Sequence, residues 1–225
     1  MKIVQCWDDG VEDDIRLCEL LRSFGAQATF NLNAGLHGAA RGPAWLFREV
    51  KEVRKLAKDE LVAVYEGFEI ANHTLSHPSA DKIGPSEWRR EVLEGRTRLE
   101  DLFGRSVDGF AYPFGHCPPQ AVETVREVGH LYARTCKNAT PSFPPKDPML
   151  LAADCHFLNP RFWELYEQAK SVGSPAFYFW GHSYELCSED DWKNFEEKLR
   201  RLQSDPDAEW GSLSALFQPT AQSTP

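Results

Sequence analysis

Ile3-Val4-Gln5-Cys6-Trp7 is a short apolar run rich in strand formers, and it ends at Asp8-Asp9-Gly10, a turn-forming cluster. Two carboxylates are therefore expected just past the C-terminal end of a first strand. Glu12 to Phe24 places Ile15, Leu17, Cys18, Leu20 and Leu21 at roughly helical spacing behind acidic residues that suit a helix N-terminus, and Gly25 stops it. Ala28 to Leu32 reads as the next strand. A β-α-β opening implies a parallel sheet with crossover helices, an α/β fold.

The alternation continues outward from there. The pattern predicts a helix from about Ala44 to Lys58 with Pro43 at its start, an extended segment around Phe68 to Ala71, and a helix from Pro85 to Phe103. It goes on with a strand at Gly109 to Tyr112, a helix from Pro119 to Val128, and strands at Leu131 to Arg134 and near Leu150 to Ala153. A helix from Pro160 to Ser171, a strand at Ala176 to Trp180 and a helix from Glu189 to Leu202 complete the series. No internal repeat or linker divides the chain, so one domain over 1–217 is expected, followed by a polar, proline-containing tail from Gln218 to Pro225.

Composition narrows the function. With 34 acidic against 25 basic residues in 225, the formal charge of -9 disfavours nucleic acid and anionic lipid. The basic stretches Lys51 to Lys58 and Lys198 to Arg201 are mixed with Glu and read as solvated helix faces. Six cysteines include no C-x-x-C pair, which excludes a zinc ribbon or a thioredoxin motif. Neither an apolar leader nor a membrane span is visible, so cytoplasmic residence with reduced cysteines is the expectation.

Three candidate sites each follow a strand, the end of a parallel sheet where loops converge and ligands bind. Asp8-Asp9 suits a metal ligand beside a base, or else a turn that uses Asp for its backbone hydrogen bonds. His73-Thr74-Leu75-Ser76-His77 carries two imidazoles at i, i+4, which a helical turn would bring to one metal; the alternative is a pair of exposed or capping histidines. With one carboxylate this makes a His₂Asp set that leaves positions open for water. Phe177-Tyr178-Phe179-Trp180-Gly181-His182 delivers His182 at a strand end, as a general acid or as a buried structural histidine.

Trp7-Asp8-Asp9-Gly10 resembles the Phe-Asp-Asp-Gly signature of the polysaccharide deacetylase (NodB-homology, carbohydrate esterase family four) domain, and His73 to His77 resembles its His-Ser/Thr-x-x-His signature. Phe110-Ala111-Tyr112-Pro113-Phe114-Gly115 is similar to its third motif, and Gly181-His182 fits its late histidine. The resemblance implies a distorted (β/α) barrel with fewer than eight regular strands. It implies one divalent metal ion, zinc first and cobalt, nickel or iron as alternatives, on Asp9, His73 and His77. Asp8 would be the base that deprotonates the activated water, and His182 the acid for the leaving amine. The Phe114 N–H, with Tyr112 and Pro113, would form the oxyanion and substrate side.

Two departures stand out. Ala111 occupies the place of an Arg that orients the base, and the Asp-Trp motif has only Asp154-Cys155 as a candidate. Asp154 and Glu185 are rivals for supporting His182, with His156 near the site as well, and Trp180 and Tyr184 are candidates for stacking on a sugar. The expected activity is removal of an N-acetyl group from an amino sugar in an oligosaccharide, glycolipid or small glycoside. A cyclic amide or ureide hydrolase and a non-catalytic carbohydrate-binding relative are the rivals.

Overall fold

The structure, a computed structural model, describes residues 1–217; the expected tail lies outside them. The first strand, β1 (Lys2–Asp8), is buried along most of its length, as a central parallel strand must be, and it runs straight into the paired carboxylates. Helix α1 (Asp13–Ser23) turns Leu17, Cys18 and Leu21 inward, and β2 (Thr29–Leu32) returns beside β1 in parallel.

Where a helix from Ala44 to Lys58 is expected, the chain instead forms a hairpin of β3 (Ala44–Phe47) and β4 (Lys51–Arg54), registered Trp45 to Val53. The spacing of Phe47, Val50, Val53 and Leu56 suits a helix on paper. The contacts that decide are remote: Trp45 and Phe47 both pack edge-on against Tyr184, at 5.7 and 5.0 Å. Lys51 ties the hairpin to the carbonyls of Tyr184 and Leu186.

After a short helix α2 (Leu61–Val64) come β5 (Glu69–Asn72), α3 (Pro85–Phe103), β6 (Gly109–Ala111), α4 (Pro119–Val128) and β7 (Tyr132–Asn138). β8 (Leu151–Ala153), β9 (Cys155–His156), α5 (Phe162–Ser171), β10 (Ala176–Gly181), α6 (Glu189–Gln203) and β11 (Glu209–Trp210) follow. The sheet runs β8-β7-β6-β5-β2-β1-β10-β9 with every pairing parallel, and β11 adds to the start of β1. It is nearly closed into a single distorted barrel with helices around it.

Asp154 lies at the seam, between the two strands that end the sheet. Its backbone N–H reaches the Tyr178 carbonyl at 2.7 Å, while its carboxylate accepts from Ser142 N and Oγ and from Tyr178 N. That carboxylate closes the barrel and does not serve His182. Among the described residues no helix is long and apolar enough to cross a membrane, and all six cysteines are free thiols.

Candidate active site

At the C-terminal ends of the strands the structure brings Asp8, Asp9, His73, His77 and His182 together. Asp8 and Asp9 leave β1 in different directions because Asp9 adopts φ 88°. Among the described residues six non-glycine residues have positive φ, and four of them, Asp9, Thr74, His77 and Phe114, lie here. Backbone held in this costly region at one place marks a functional constellation.

His73 and His77 sit in a loop after β5, not on the helical turn expected from their spacing. Asn72 and Thr74 shape that loop: Thr74 N donates to Asn72 Oδ1 and His77 N to Thr74 Oγ1, each at 3.0 Å. Glu91 of α3 holds Ser76 through its backbone N–H and hydroxyl.

The donor set fits a divalent metal. Nδ1 of His73 donates to the Ala111 carbonyl at 2.8 Å, which fixes the tautomer and leaves Nε2 free as a ligand. His73 Nε2 lies 3.1 Å from His77 Nε2, close to the roughly 3.3 Å that two nitrogens about 2.0–2.1 Å from a tetrahedral ion would keep. A carboxylate oxygen of Asp9 lies within 4.8 Å of both. Burial and the neighbouring His73 push His77 down to about 3, so it is a neutral, lone-pair donor at neutral pH. Burial would raise Asp9, but Lys55 and then the histidines outweigh it and hold the carboxylate ionised.

Asp8 is oriented by two donors. Asn31 Nδ2 reaches Oδ1 at 2.7 Å, and Arg134 Nη2 donates to Oδ2. Arg134 is the strand partner of Ala111, so the guanidinium missing from position 111 is supplied one strand over. Burial acts to raise the Asp8 pKa, and Arg134, then His73 and His182, reverse it, leaving the carboxylate below its usual range.

His182 presents Nε2 toward Asp8 and Asp9, at 3.8 and 3.9 Å. Its Nδ1 lies 3.2 Å from Glu185 Oε2, which also accepts the His182 backbone N–H at 3.0 Å. Burial would lower His182, and this hydrogen bond to Glu185, followed by Asp8 and Asp9, raises it above 6.5. Of the two rivals for this role the structure places Glu185 against His182.

Lys55, expected on a solvated helix face, is buried instead, donating to Asp9 O and Oδ1 and to Asn33 Oδ1. Only the hairpin's true geometry points it inward. A cleft of about 290 Å³ opens between Asp9, His77, Lys55, Trp45 and Tyr184. Tyr184 stacks on His182 at 4.9 Å, and the Arg134 guanidinium lies 4.6 Å from the Trp180 ring. Phe114 is exposed with its ring 4.7 Å from that of His77, and its N–H meets no backbone acceptor among the described residues. Tyr112 faces away, buried and stacked on Trp88, while Pro113 is buried in the turn beside it. A second cleft of about 280 Å³, between the starts of α3 and α4, is lined by no titratable side chain.

The family model of polysaccharide deacetylases matches residues 1–133, more than half of the sequence. The chain belongs to the polysaccharide deacetylase family. Similar folds to this polysaccharide deacetylase-family chain are found in a family 4 carbohydrate esterase from Bacillus anthracis, at 16% identity and TM-score 0.63 over 96% of this chain and 81% of that one. A family 4 acetyl xylan esterase from Clostridium thermocellum, solved with a cobalt ion, is similar at 16% identity and TM-score 0.57 over 96% and 90%. Streptococcus pyogenes deacetylase PplD, solved with acetate, is similar at 19% identity and TM-score 0.51 over 60% and 55%. The match thus spans about half of the length of PplD, and 44% of a Bacillus cereus polysaccharide deacetylase. No curated protein sequence matches the chain.

Proposed function

We propose that this chain is a metal-dependent hydrolase that removes the N-linked acetyl group of an amino sugar. The observation that carries the reading is Asp8, clamped ionised by Arg134, lying 3.8 Å from the His182 ring nitrogen and beside the Asp9, His73 and His77 donor set. A base, an acid and metal ligands in one place are what amide hydrolysis requires, because an amide is a poor electrophile with a poor leaving group.

A divalent ion held by Asp9, His73 and His77 supplies positive charge that polarises the acetyl carbonyl and acidifies water. Zinc suits this N/O set best, with cobalt, nickel or iron compatible. Asp8 takes the proton of the attacking water, with Arg134 and Asn31 fixing which oxygen receives it. The Phe114 N–H donates to the acetyl oxygen as negative charge develops there. His182, kept protonated by Glu185, gives its Nε2 proton to the departing nitrogen.

The cleft of about 290 Å³, roofed by the hairpin, lies at the small end of ligand sites and suits one sugar ring against Trp45 and Tyr184. A small glycoside or a chain terminus is favoured over the interior of a polymer.

The test is acetate release by the zinc-reconstituted protein from a panel of N-acetylated mono- and oligosaccharides, with cyclic amides alongside. Turnover of an acetylated sugar that Asp8→Asn loses by about 10²-fold or more supports the reading. Equal turnover by Asp8→Asn, or parent-like metal content in Asp9→Ala and His73→Ala, refutes it. Ring opening of a cyclic amide without acetate release would assign the site to that chemistry instead.

A further inference from the structure

On the far side of His182 lies another group of side chains able to hold a metal. Glu185 Oε2 is 2.9 Å from His156 Nε2 and 3.2 Å from His182 Nδ1, and the three donor atoms fall within 4.8 Å of one another. Donors around a tetrahedral ion at about 2.0–2.2 Å keep roughly this spacing. Strand register sets the arrangement, because β9 and β10 pair Trp180 with His156, and the Trp180 ring meets His156 edge-on at 4.9 Å. The His156 and His182 side chains are 23% and 22% exposed, so an ion can reach them from solvent.

We propose that His156, Glu185 and Nδ1 of His182 form a second, inhibitory transition-metal site, distinct from the Asp9, His73 and His77 set. Two imidazoles and one carboxylate are a zinc-type donor set, poorly suited to the all-oxygen preference of magnesium or calcium.

Without an ion, both rings donate N–H to Glu185. Leu158 N–H donates to His156 Nδ1 at 3.2 Å, which places the His156 proton on Nε2. Metal entry moves the His156 proton from Nε2 to Nδ1, freeing the Nε2 lone pair, and releases the Nδ1 proton of His182 to solvent, so both ligands bind as neutral imidazoles. The long, exposed Leu158 contact is given up. The first set is prepared differently, since the Ala111 carbonyl already holds the His73 proton on Nδ1. The second site is therefore the weaker and fills only when metal is in excess.

Its consequence follows from the two faces of His182. With an ion on Nδ1, the ring keeps its proton on Nε2 as a neutral imidazole N–H, a far weaker acid than imidazolium. The proton that faces Asp8 is then too weakly acidic to pass to a departing nitrogen. This consequence rests on the function proposed above, whereas the site itself does not.

Zinc titration of the metal-free chain, followed by native mass spectrometry, tests the site. The expected result is two ions on the parent, one on His156→Ala and on His156→Gln, and one on His73→Ala. Circular dichroism checks that each variant is folded. A parent that stops at one ion, or folded His156 variants that still take two, overturns the site. In acetate release, filling the second site is expected to slow the parent by about 100-fold, the scale of a lost general acid, and His156→Gln by less than about twofold. Two bound ions with undiminished turnover overturn the inhibition. A parent with no deacetylase turnover at all removes the proposed function, while the metal count still decides the site.

Discussion

Arg134, on β7, donates through Nη2 to Oδ2 of Asp8 at the end of β1, across a barrel in which three strands separate the two. Both side chains are almost fully buried, so each neutralises a charge that would be costly alone. Removing the guanidinium in Arg134→Ala strands the Asp8 carboxylate. A loss of about 3–5 kcal/mol of stability is expected, together with a fall in kcat/KM of about 10²-fold or more. Because Ala111 is the strand partner of Arg134, Ala111→Arg added to Arg134→Ala is expected to recover part of that activity, by at least about tenfold. Denaturant melts and initial rates on the three variants check this. A double variant as poor as the single one would show that the guanidinium cannot act from position 111.

The same pair shows where local reading stops. Asp8, Asp9, His73, His77 and His182 were legible because each sits in a short motif just after an apolar strand. The parallel α/β frame was legible for a related reason, since strand and helix periods alternate locally. Arg134 was not, because Tyr132-Ala133-Arg134 looks like any strand end until β6 and β7 are put in register. Lys55 was misplaced along with the hairpin, whose alternative helical spacing is overruled by Tyr184, far away in sequence. Asp154, one of two candidates for supporting His182, bonds Ser142 and Tyr178 at the barrel seam, which only closure of the sheet creates.

Against burial, the hydrogen bond to Glu185, followed by Asp8 and Asp9, raises the His182 pKa. The raised pKa of His182 means that the acid form persists above pH 6.5 and disappears as pH rises through the shifted value. In Glu185→Gln the hydrogen bond from His182 Nδ1–H to a carboxylate is lost, and burial is less opposed. The His182 pKa should then fall, moving the alkaline limb of the kcat/KM profile to lower pH. Asp154→Asn, which touches the seam and not His182, is expected to leave that limb in place. An unmoved limb in Glu185→Gln would detach His182 from the acid role.

Asp14 is a buried carboxyl outside the proton-transfer path. Burial pushes it up to about 7, despite donors from Ser183 Oγ, Tyr65 OH and the Val11 N–H. Its folded pKa exceeds the unfolded value of 3.8. Its contribution to stability is therefore complete below about pH 3.8 and is lost as pH rises through about 7. Asp14→Asn lacks this titration. The stability of the parent relative to the variant is expected to decline between pH 5 and 8.5 by more than about 1 kcal/mol. Urea melts at both pH values measure it, and a constant difference would mean that Asp14 stays ionised throughout.

Gly95 sits in the middle of α3, where alanine would ordinarily stabilise an exposed helix by about 1 kcal/mol. Here the helix meets the histidine loop. A Cβ at Gly95 would lie 2.6 Å from Asn72 Oδ1, 3.0 Å from the Thr74 carbonyl carbon and 3.1 Å from Leu75 N. Asn72 Oδ1 is the acceptor that shapes Thr74, and Thr74 in turn accepts from His77 N, so the clash is passed to the loop of the proposed metal ligands. Gly95→Ala is therefore expected to destabilise the protein by about 1–3 kcal/mol, the cost of overpacking. It should also weaken zinc binding by at least about tenfold, because His77 loses the spacing from His73 that a single ion needs. Leu93→Ala, at an exposed position on the same helix, controls for α3 itself and should leave zinc affinity unchanged. Competition against a chromophoric zinc chelator reads the affinity directly. A Gly95→Ala protein that binds zinc as tightly as the parent would show that the loop can yield at Asn72 without moving His77.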